Sequence, residues 1–396
     1  MDRSLLSSFS SFLLVLALVT ATPRAAAGET PPASDAAAHP TDGRLFDPGL
    51  AMTAPAEGAS AELARMAGFV GAWELTVERP AGDEAPPATA HGRALVTFMN
   101  RGHALMERTR IDDFERGAPR ATVSFLAVSP LHGTWTFGEA DSRREAILTA
   151  SGGFNDKTSS LVLHDAGRPR GGWGLELLRR SYSVSSDAAH VTIEASADLG
   201  ATWQLVERRR YRRVDDPSAD FFPVRDDFGA PSARRPPEAA EFDFLVGEYD
   251  ARHWRRAPDG SEGRWRSHAT AVHVLDGQAV LEFDSFDADP SLPDAATSIL
   301  RLYNRAERRW ESLFLTNRQS SNLFFGGVRE GEEIVLHFFD TDSTDPMSRW
   351  IFFDIEADTY RWKGLSSTDG GASFQPTWTI DFRRVGLPDT PKPTSR

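Results

Sequence analysis

The sequence predicts an all-β protein built as two tandem, antiparallel, up-and-down β-barrels. Three observations lead to this fold class. A set of motifs occurs twice in the same order, short stretches of alternating residue character fill both copies, and a proline-rich segment separates them. With 396 residues, the chain is long enough for two domains that each bury a core.

The duplication is visible in motifs that keep a nearly constant spacing. Each copy opens with a phenylalanine that is followed by a glycine and an aromatic residue. Trp135 matches Trp310, which lies 310 − 135 = 175 positions later. The closing motifs at residues 196–203 and 367–374 differ by 367 − 196 = 171 positions. Self-similarity of this kind indicates a repeated structural unit, and loops of different length explain the small drift.

Within each copy the residue pattern is that of β-strands. Residues 269–275 and 334–339 alternate with a period of two, which is typical of strands with one face buried. Gly102 and Gly277 stand between such stretches, where glycine supplies the positive φ of a tight hairpin turn. No stretch of helical period and length stands out. Consecutive hairpins favour an up-and-down barrel over a sandwich.

The N-terminus has the pattern of a secretory signal peptide. An apolar run at 12–19 precedes Ala25-Ala26-Ala27, an A-x-A cleavage site. We therefore expect a secreted or periplasmic protein with no integral membrane association after cleavage; an uncleaved anchor is the alternative. The predicted organisation is a signal peptide at 1–27, a flexible segment at 28–61, a first barrel at 62–215, a proline-rich linker at 216–239, a second barrel at 240–387 and a flexible tail at 388–396.

Charge and cysteine usage exclude several classes of function. Residues 65–215 hold 20 basic and 19 acidic residues (20 − 19 = +1), whereas 240–387 hold 16 and 25 (16 − 25 = −9). Neither copy carries the electropositive face of a nucleic-acid-binding protein, so no nucleic-acid partner is expected. The arginine run at 208–213 is interpreted as a solvated strand. The chain has no cysteine, which excludes disulfides and thiolate chemistry.

The two ends of the second copy resemble a known family. Residues 241–250 (EFDFLVGEYD) and 366–374 (SSTDGGASF) are similar to the opening and closing motifs of a bacterial exported domain-of-unknown-function family. Its members resemble calycins, the group of lipocalins and fatty-acid-binding proteins. The resemblance implies a calycin-like β-barrel with a central cavity and implies no reaction. Tyr249 and Phe374 stand where the family usually has tryptophan, whereas the first copy keeps Trp73.

The second copy carries most of the candidate ligand-binding residues. Arg301 and Arg349 lie in otherwise apolar stretches, where an inward guanidinium needs a partner such as a ligand carboxylate. An outward position on a wet strand face is the alternative for each arginine. A small apolar or amphipathic ligand is the expected partner. The candidate ligand-binding residues are Tyr249, His253, Arg301, His337, Arg349 and Trp362.

The closing motif is predicted to form a structural turn in each copy. Its S-x-D-x-G pattern also resembles the Asp-box hairpins of propellers, but a propeller needs four or more blades and this chain has two such motifs. Asp198 and Asp369 are expected to hydrogen-bond their own backbone, with Gly200 and Gly371 completing the turns.

No cofactor and no metal site are predicted. The acidic stretch at 340–345 has oxygen ligands at calcium-like spacing but lacks the glycine and distal glutamate of an EF-hand, so a solvated loop is favoured. The stretch at 284–289 is a weaker candidate still. The histidines form no H-x-H or H-E-x-x-H pair. Haem bound by a single histidine, as in nitrobindin-like barrels, is disfavoured because no G-x-W-x-G-x-G opening is present.

Three functions stay open at this point. The leading hypothesis is an exported protein that binds a small, partly apolar ligand in a barrel cavity. The second is a hydrolase or isomerase with His253 or His337 as a base inside a barrel. The third is a structural or interaction module with filled barrels. No catalytic residue is assigned, since no G-x-S-x-G or S-x-x-K motif is present.

Overall fold

A computed structural model describes residues 54–81, 86–112, 119–129, 132–165, 168–170, 174–215, 235–256, 260–285, 295–317, 323–338 and 348–386. The predicted signal peptide, the C-terminal tail, and most of the N-terminal segment and the linker lie outside these residues. No helix in the described ranges is long and apolar enough to cross a membrane.

The first domain is a closed antiparallel barrel. The short helix α1 (Ala61–Ala64) and a 3-10 turn at Ala67–Phe69 precede it. Its strands are β1 (Gly71–Arg79), β2 (Ala88–Met99), β3 (Ala104–Ile111), β4 (Arg120–Val128), β5 (Trp135–Asp141), β6 (Arg144–Asn155), β7 (Ser160–Asp165), β8 (Arg168–Arg170), β9 (Gly174–Val184), β10 (Ala188–Ser196) and β11 (Gln204–Val214). Strand β1 pairs with β11, and β9 pairs with both β7 and β10, so the ring closes with β8 attached beside β9.

The second domain closes in the same way. A 3-10 segment at Pro237–Leu245 leads into it. Its strands are β12 (Gly247–Arg256), β13 (Glu262–Val274), β14 (Ala279–Ser285), β15 (Ala296–Asn304), β16 (Arg309–Thr316), β17 (Leu323–Glu330), β18 (Glu333–Phe338), β19 (Ser348–Phe353), β20 (Thr359–Ser366) and β21 (Gln375–Gly386). Each strand pairs with the next, and β21 pairs with β12. The prediction of two tandem, antiparallel, up-and-down barrels is confirmed.

One end of each barrel is sealed by the segment that precedes its first strand. In the second barrel, Phe242 is fully buried and packs edge-on against Trp310, with ring centroids 4.6 Å apart. Arg213 and Arg384 occupy equivalent places on the last strands and donate hydrogen bonds to backbone carbonyls of the sealing segments. Their guanidinium groups lie over Trp73 (4.2 Å) and Tyr249 (4.7 Å). We call this the closed end. We use the name open end only as a label for the opposite end of the same barrel, where several connecting segments lie outside the described residues.

The two barrels pack together through equivalent surfaces. Arg101 donates to Ser285 (3.2 Å), and Arg110 forms an ion pair with Asp276 (3.7 Å). With the repeat offset of 175, Arg101 corresponds to Asp276 (276 − 101 = 175) and Arg110 to Ser285 (285 − 110 = 175). The same pair of repeat positions therefore makes contact twice. The barrel that supplies each position in the first contact is exchanged in the second. This is the pattern of a two-fold interface, here formed within one chain.

The centre of that interface is apolar. Gly138 and Leu313 occupy equivalent positions (313 − 138 = 175), and a Cβ atom on Gly138 would lie 2.2 Å from Leu313 Cδ1. The surrounding cluster is contributed by the outer faces of both barrels: Met99, Ala104, Met106, Ala121, Val123, Phe125, Ala127, Ala140 and Ile147 from the first, and Val272, Val274, Leu275, Ala279, Leu281, Leu300, Leu302, Leu313 and Leu315 from the second. Burial of these side chains makes the two barrels one packed unit.

Candidate ligand-binding site

The open half of the second barrel holds a chain of hydrogen-bonded polar side chains on its inner wall. Because side chains alternate along a strand, β12 and β13 turn His253 and Ser267 inward, and β14 does the same with Asp284. The exposed fractions of these three residues are only 3%, 8% and 8%. A buried histidine and a buried carboxyl group thus lie within one interior.

The direction of each hydrogen bond in this chain follows from its donors. Trp378 Nε1, which can only donate, lies 3.2 Å from His253 Nδ1. The proton of the neutral imidazole is therefore on Nε2, which lies 2.7 Å from Ser267 Oγ. The Ser267 hydroxyl therefore accepts a hydrogen bond from His253 and donates one to Asp284. The relay fixes the tautomer of His253 and the rotamer of Ser267.

Burial keeps both ionisable members of the chain uncharged at neutral pH. Desolvation lowers the pKa of His253 to about 3. Desolvation, reinforced by the nearby Glu282, raises the pKa of Asp284 to about 8, although the hydrogen bond from Ser267 acts in the opposite direction. At pH 7 the site therefore contains a neutral imidazole and a protonated carboxyl group.

One carboxyl oxygen at this site has no hydrogen-bonding partner among the described residues. Asp284 Oδ1 is buried and unpaired, and so is the indole nitrogen of the adjoining Trp265. More than nine in ten buried polar groups in proteins are hydrogen-bonded. Leaving a buried group unpaired costs about 1–3 kcal/mol. The unpaired atoms of Asp284 and Trp265 are therefore candidate contacts for a bound molecule.

Aromatic rings surround this polar chain. Trp265 stacks on the imidazole of His253, with centroids 5.0 Å apart and planes at 12°. Trp378 packs beside both rings and meets Trp362 edge-on at 5.6 Å. These rings pack against one another and against the imidazole, so the polar chain lies in an aromatic environment.

A depression of about 670 Å³ lies on the outer face of the second barrel, where it is open to solvent. Two inward-facing residues of the site, His253 and Trp265, also line this depression. The segments that join the strands at the open end, at 257–259, 286–294, 318–322 and 339–347, lie outside the described residues.

Four of the six predicted ligand-binding residues lie inside the second barrel, in two separate places. His253 and Trp362 are in the open half, as described above. Tyr249 lies toward the closed end, where its hydroxyl donates to the Phe244 carbonyl. Arg301 is also in the closed half, and its guanidinium donates to Glu282 at 2.5 Å. The expected ligand carboxylate for Arg301 is replaced by this protein carboxylate, so Arg301 and Tyr249 complete the core.

The other two predicted residues lie on the outer face. His337 and Arg349 are cross-strand neighbours on β18 and β19, and Arg349 lies 3.8 Å over the ring of Phe374. The structure therefore does not bring His337 into the barrel interior, and an interior base at this position is excluded. The first copy repeats the same outer arrangement with His164, Arg179 and Trp203.

The closing motifs form the same hydrogen-bonded turn twice. Ser196 donates to Asp198 Oδ1 at 2.8 Å, and Asp198 accepts from the backbone and hydroxyl of Thr202. These bonds from Thr202 lower the pKa of Asp198 to about 2. Gly200 has φ of +90°, a conformation that favours glycine. The equivalent residues of the second copy are Ser367, Asp369, Gly371 and Ser373.

The first barrel has a different interior, which the sequence reasoning missed. Arg180 donates to Glu139 at 2.6 Å, and Arg209 approaches the same carboxylate at 3.9 Å. Although burial alone would raise it, these two arginines hold the pKa of Glu139 at about 2. Arg120 bridges Glu207 and the neighbouring Asp141 at 2.9 and 2.8 Å. The network occupies the interior with protein ion pairs.

The interpretation of residues 208–213 as a solvated strand is wrong for two of its five arginines. Arg209 is 1% exposed inside the barrel, and Arg213 is partly buried at its closed end. Arg208, Arg210 and Arg212 do face outward. The signal was present in the sequence, since Tyr211 shares strand parity with Arg209 and Arg213 and an aromatic residue marks the buried face.

The structure describes only part of the two acidic stretches that were considered as calcium sites, residues 340–345 and 284–289. Residues 340–345 lie outside the described residues. Asp284, which opens the stretch at 284–289, belongs to the barrel interior rather than to a solvated loop. Among the described residues, no group of three or more histidine, aspartate or glutamate side chains is placed to hold a metal ion.

Comparisons with known proteins add little to this geometry. No protein-family model matches the chain, and no curated protein matches it in sequence. Among solved structures it is similar to Rv2717c from M. tuberculosis, with 13% identity and a TM-score of 0.30 over 39% of this chain and 99% of that one. It is also similar to a protein with unknown function from the DUF3598 family of Nostoc punctiforme, with 10% identity and a TM-score of 0.23 over 82% and 100%. Both TM-scores lie below 0.5, so neither likeness carries an argument about this chain.

Proposed function

We propose that this is a binding protein whose second barrel takes up a small, largely apolar ligand that carries a hydrogen-bond acceptor. The single observation that carries the proposal is the buried, unpaired Oδ1 atom of Asp284 beside the tryptophan-lined wall. The first barrel, whose interior holds the Glu139 ion-pair network, supports the second through the shared apolar interface.

The protonation of Asp284 selects the polar group of the ligand. Below its pKa of about 8, the carboxyl group is neutral. Because Oδ1 has no partner among the described residues, a proton on that atom is available to a ligand. A carbonyl or ether oxygen of a ligand would accept this proton. The aromatic walls formed by Trp265, Trp362 and Trp378 favour a flat, apolar remainder.

The site supports binding better than general-base catalysis. Both ring nitrogens of His253 already have partners, Trp378 and Ser267. With a pKa lowered to about 3, its imidazole is a poor proton acceptor near neutral pH. The hypothesis of a hydrolase or isomerase with His253 as the base is therefore not favoured.

A fluorescent aromatic ketone tests the proposal. Prodan is uncharged, binds apolar pockets and carries one carbonyl acceptor, so its emission should rise when it enters the second barrel. Asp284→Ala removes the donor and should weaken binding about tenfold at pH 6, the value of one lost hydrogen bond of about 1.4 kcal/mol. Asp284→Asn keeps an N–H donor and should bind at both pH 6 and pH 9. The wild type should lose affinity as the pH rises through about 8.

The matched control lies at the equivalent position of the first barrel. Thr109 corresponds to Asp284 (284 − 109 = 175) and is equally buried. Thr109→Val should leave prodan binding unchanged. Binding that is insensitive to Asp284→Ala, or equally sensitive to Thr109→Val, would remove the proposed site.

We further propose that the protein acts outside the cytoplasm, on the basis of the N-terminal apolar run and the Ala25-Ala26-Ala27 motif. N-terminal sequencing of protein recovered from the exported fraction should begin at Gly28. Recovery of the uncleaved chain from the cytoplasm would contradict this.

A further inference from the structure

A group of arginines lies on the outer face of the second barrel, within the depression of about 670 Å³. Arg252 on β12 is directly opposite Arg266 on β13, and Trp254 is opposite Arg264 in the next outward-facing pair. The three arginines are exposed, and Trp254 is half-buried. One sheet surface thus combines three guanidinium groups with a flat aromatic ring.

The protein balances the charges of this group only in part. Among the described residues, no ion pair involves Arg252 or Arg266, and Arg264 acts only at a distance by lowering the pKa of Glu262. Asp381 lies directly opposite Arg252 on β21, but its ion pair is with Arg361 at 2.8 Å. Like charges placed directly opposite each other on adjacent strands destabilise a sheet. An anion between Arg252 and Arg266 would remove that repulsion.

On the equivalent face of the first barrel, acidic side chains of the protein itself pair with the outward-facing arginines. There Glu78 pairs with Arg210 at 3.1 Å and lies within 3.8 Å of Arg208. Glu74 pairs with Arg212 in the same way. Every outward arginine of β11 therefore has an acidic partner on β1. In the second barrel, Trp254 stands at the place of Glu78 (254 − 78 = 176), and Thr379 and Asp381 stand at the places of Arg208 and Arg210 (379 − 208 = 171 and 381 − 210 = 171), so this row of ion pairs is absent there.

We propose that this face is a second binding site, specific for a small molecule in which a doubly charged oxyanion, such as a phosphate monoester, is attached to a ring. Arg252 and Arg266 hold the oxyanion through paired N–H donors, since planar guanidinium groups match phosphate oxygens in geometry. Trp254, fixed by the hydrogen bond from its Nε1 to Glu262 at 3.2 Å, offers its indole to the attached ring. Arg264 extends the positive field along the same edge.

The charge of the surrounding domain favours a small ligand over a polyanion. Residues 240–387 carry 16 basic and 25 acidic residues (16 − 25 = −9). A long nucleic acid would have to lie across this acidic surface and would be repelled beyond the arginine group. A single oxyanion meets the three arginines and, among the residues that line the depression, one carboxylate, Asp381, which is already paired with Arg361.

Calorimetric titration with phenyl phosphate, inorganic phosphate and phenol tests the proposal on the full chain. Phenyl phosphate should bind more tightly than either of the other two. Arg252→Gln combined with Arg266→Gln should lower its affinity about tenfold or more, because two charge-assisted hydrogen bonds are lost. Trp254→Leu should reduce the affinity for phenyl phosphate to that for inorganic phosphate. The matched control is Arg208→Gln combined with Arg210→Gln, which should change nothing.

Three results would overturn the proposal. The first is phenyl phosphate that produces no saturable heat with the wild type. The second is an equal loss of affinity in the control, which would indicate nonspecific charge. The third is a single-stranded oligonucleotide that binds the same arginines far more tightly than phenyl phosphate does, which would make the face a nucleic-acid site. Circular dichroism of each variant establishes that the barrels remain folded.

Discussion

Glu139 and Phe314 occupy the same position in the two barrels (314 − 139 = 175), yet their surroundings have opposite chemistry. Glu139 lies between Arg180 and Arg209 in a buried ion-pair network. Phe314 instead packs edge-on against Trp350 at 5.2 Å. The same ring of strands therefore accepts a charged or an aromatic interior. Among the described residues, each interior also contains buried polar atoms without a partner: Trp135 Nε1 and one nitrogen of Arg209 in the first barrel, and Asp284 Oδ1 and Trp265 Nε1 in the second.

The largest expected effect is on the ion pairs of the first barrel. Arg180→Met leaves Glu139 buried beside fewer cations and should lower the free energy of unfolding by about 3–5 kcal/mol. Arg210→Met removes the exposed pair with Glu78 and should cost at most about 1 kcal/mol. Urea denaturation of both variants measures the difference. Equal effects would show that the buried network does not hold the first barrel together.

The second expected effect is a pH dependence of the free energy of unfolding, and it arises from Asp284 in the second barrel. Burial raises the pKa of Asp284 in the folded state to about 8, from its ordinary value of 3.8. A raised pKa gives stability that is fully present below the unfolded pKa and is lost as the pH rises through the folded one. Relative to Asp284→Asn, the wild type should therefore lose up to about 4 kcal/mol between pH 5 and pH 8, at about 1.4 kcal/mol per unit. A constant difference between the two proteins over this range would contradict the buried, protonated carboxyl group.

The third effect concerns the interface between the barrels. Gly138→Ala places a methyl group against Leu313 and should cost about 1–3 kcal/mol by overpacking. Gly153→Ala is the control, since its new Cβ would meet no atom within 4 Å. A double-mutant cycle with Leu313→Ala should show coupling, because the smaller side chain makes room for the added methyl group. Simple additivity would mean that the barrels do not meet at Gly138.

Much of the fold could be predicted from the sequence because local patterns determine it. The period-two alternation and the glycine turns specify strands and hairpins, and the repeat specifies two copies. The closing turns at Asp198 and Asp369 are equally local, since each carboxylate bonds atoms four residues away.

The interiors could not be predicted in the same way. Arg180, on β9, and Glu139, on β5, are 41 residues apart, and only closure of the barrel brings them together. The Asp284 site likewise combines residues from β12, β13, β14 and β21. His253 could be predicted because it shares strand parity with Tyr249, whereas Trp362 was predicted only as an aromatic side chain able to line a cavity. Asp284 was missed because it stands at the start of an acidic stretch that has the composition of a loop.

Native mass spectrometry with added prodan tests the central claim most directly, since it counts bound molecules per chain. One molecule should bind the wild type and Thr109→Val, whereas Asp284→Ala should need about tenfold more prodan to reach the same occupancy at pH 6. Two molecules per chain, or an occupancy that Asp284→Ala leaves unchanged, would contradict a single ligand site in the second barrel.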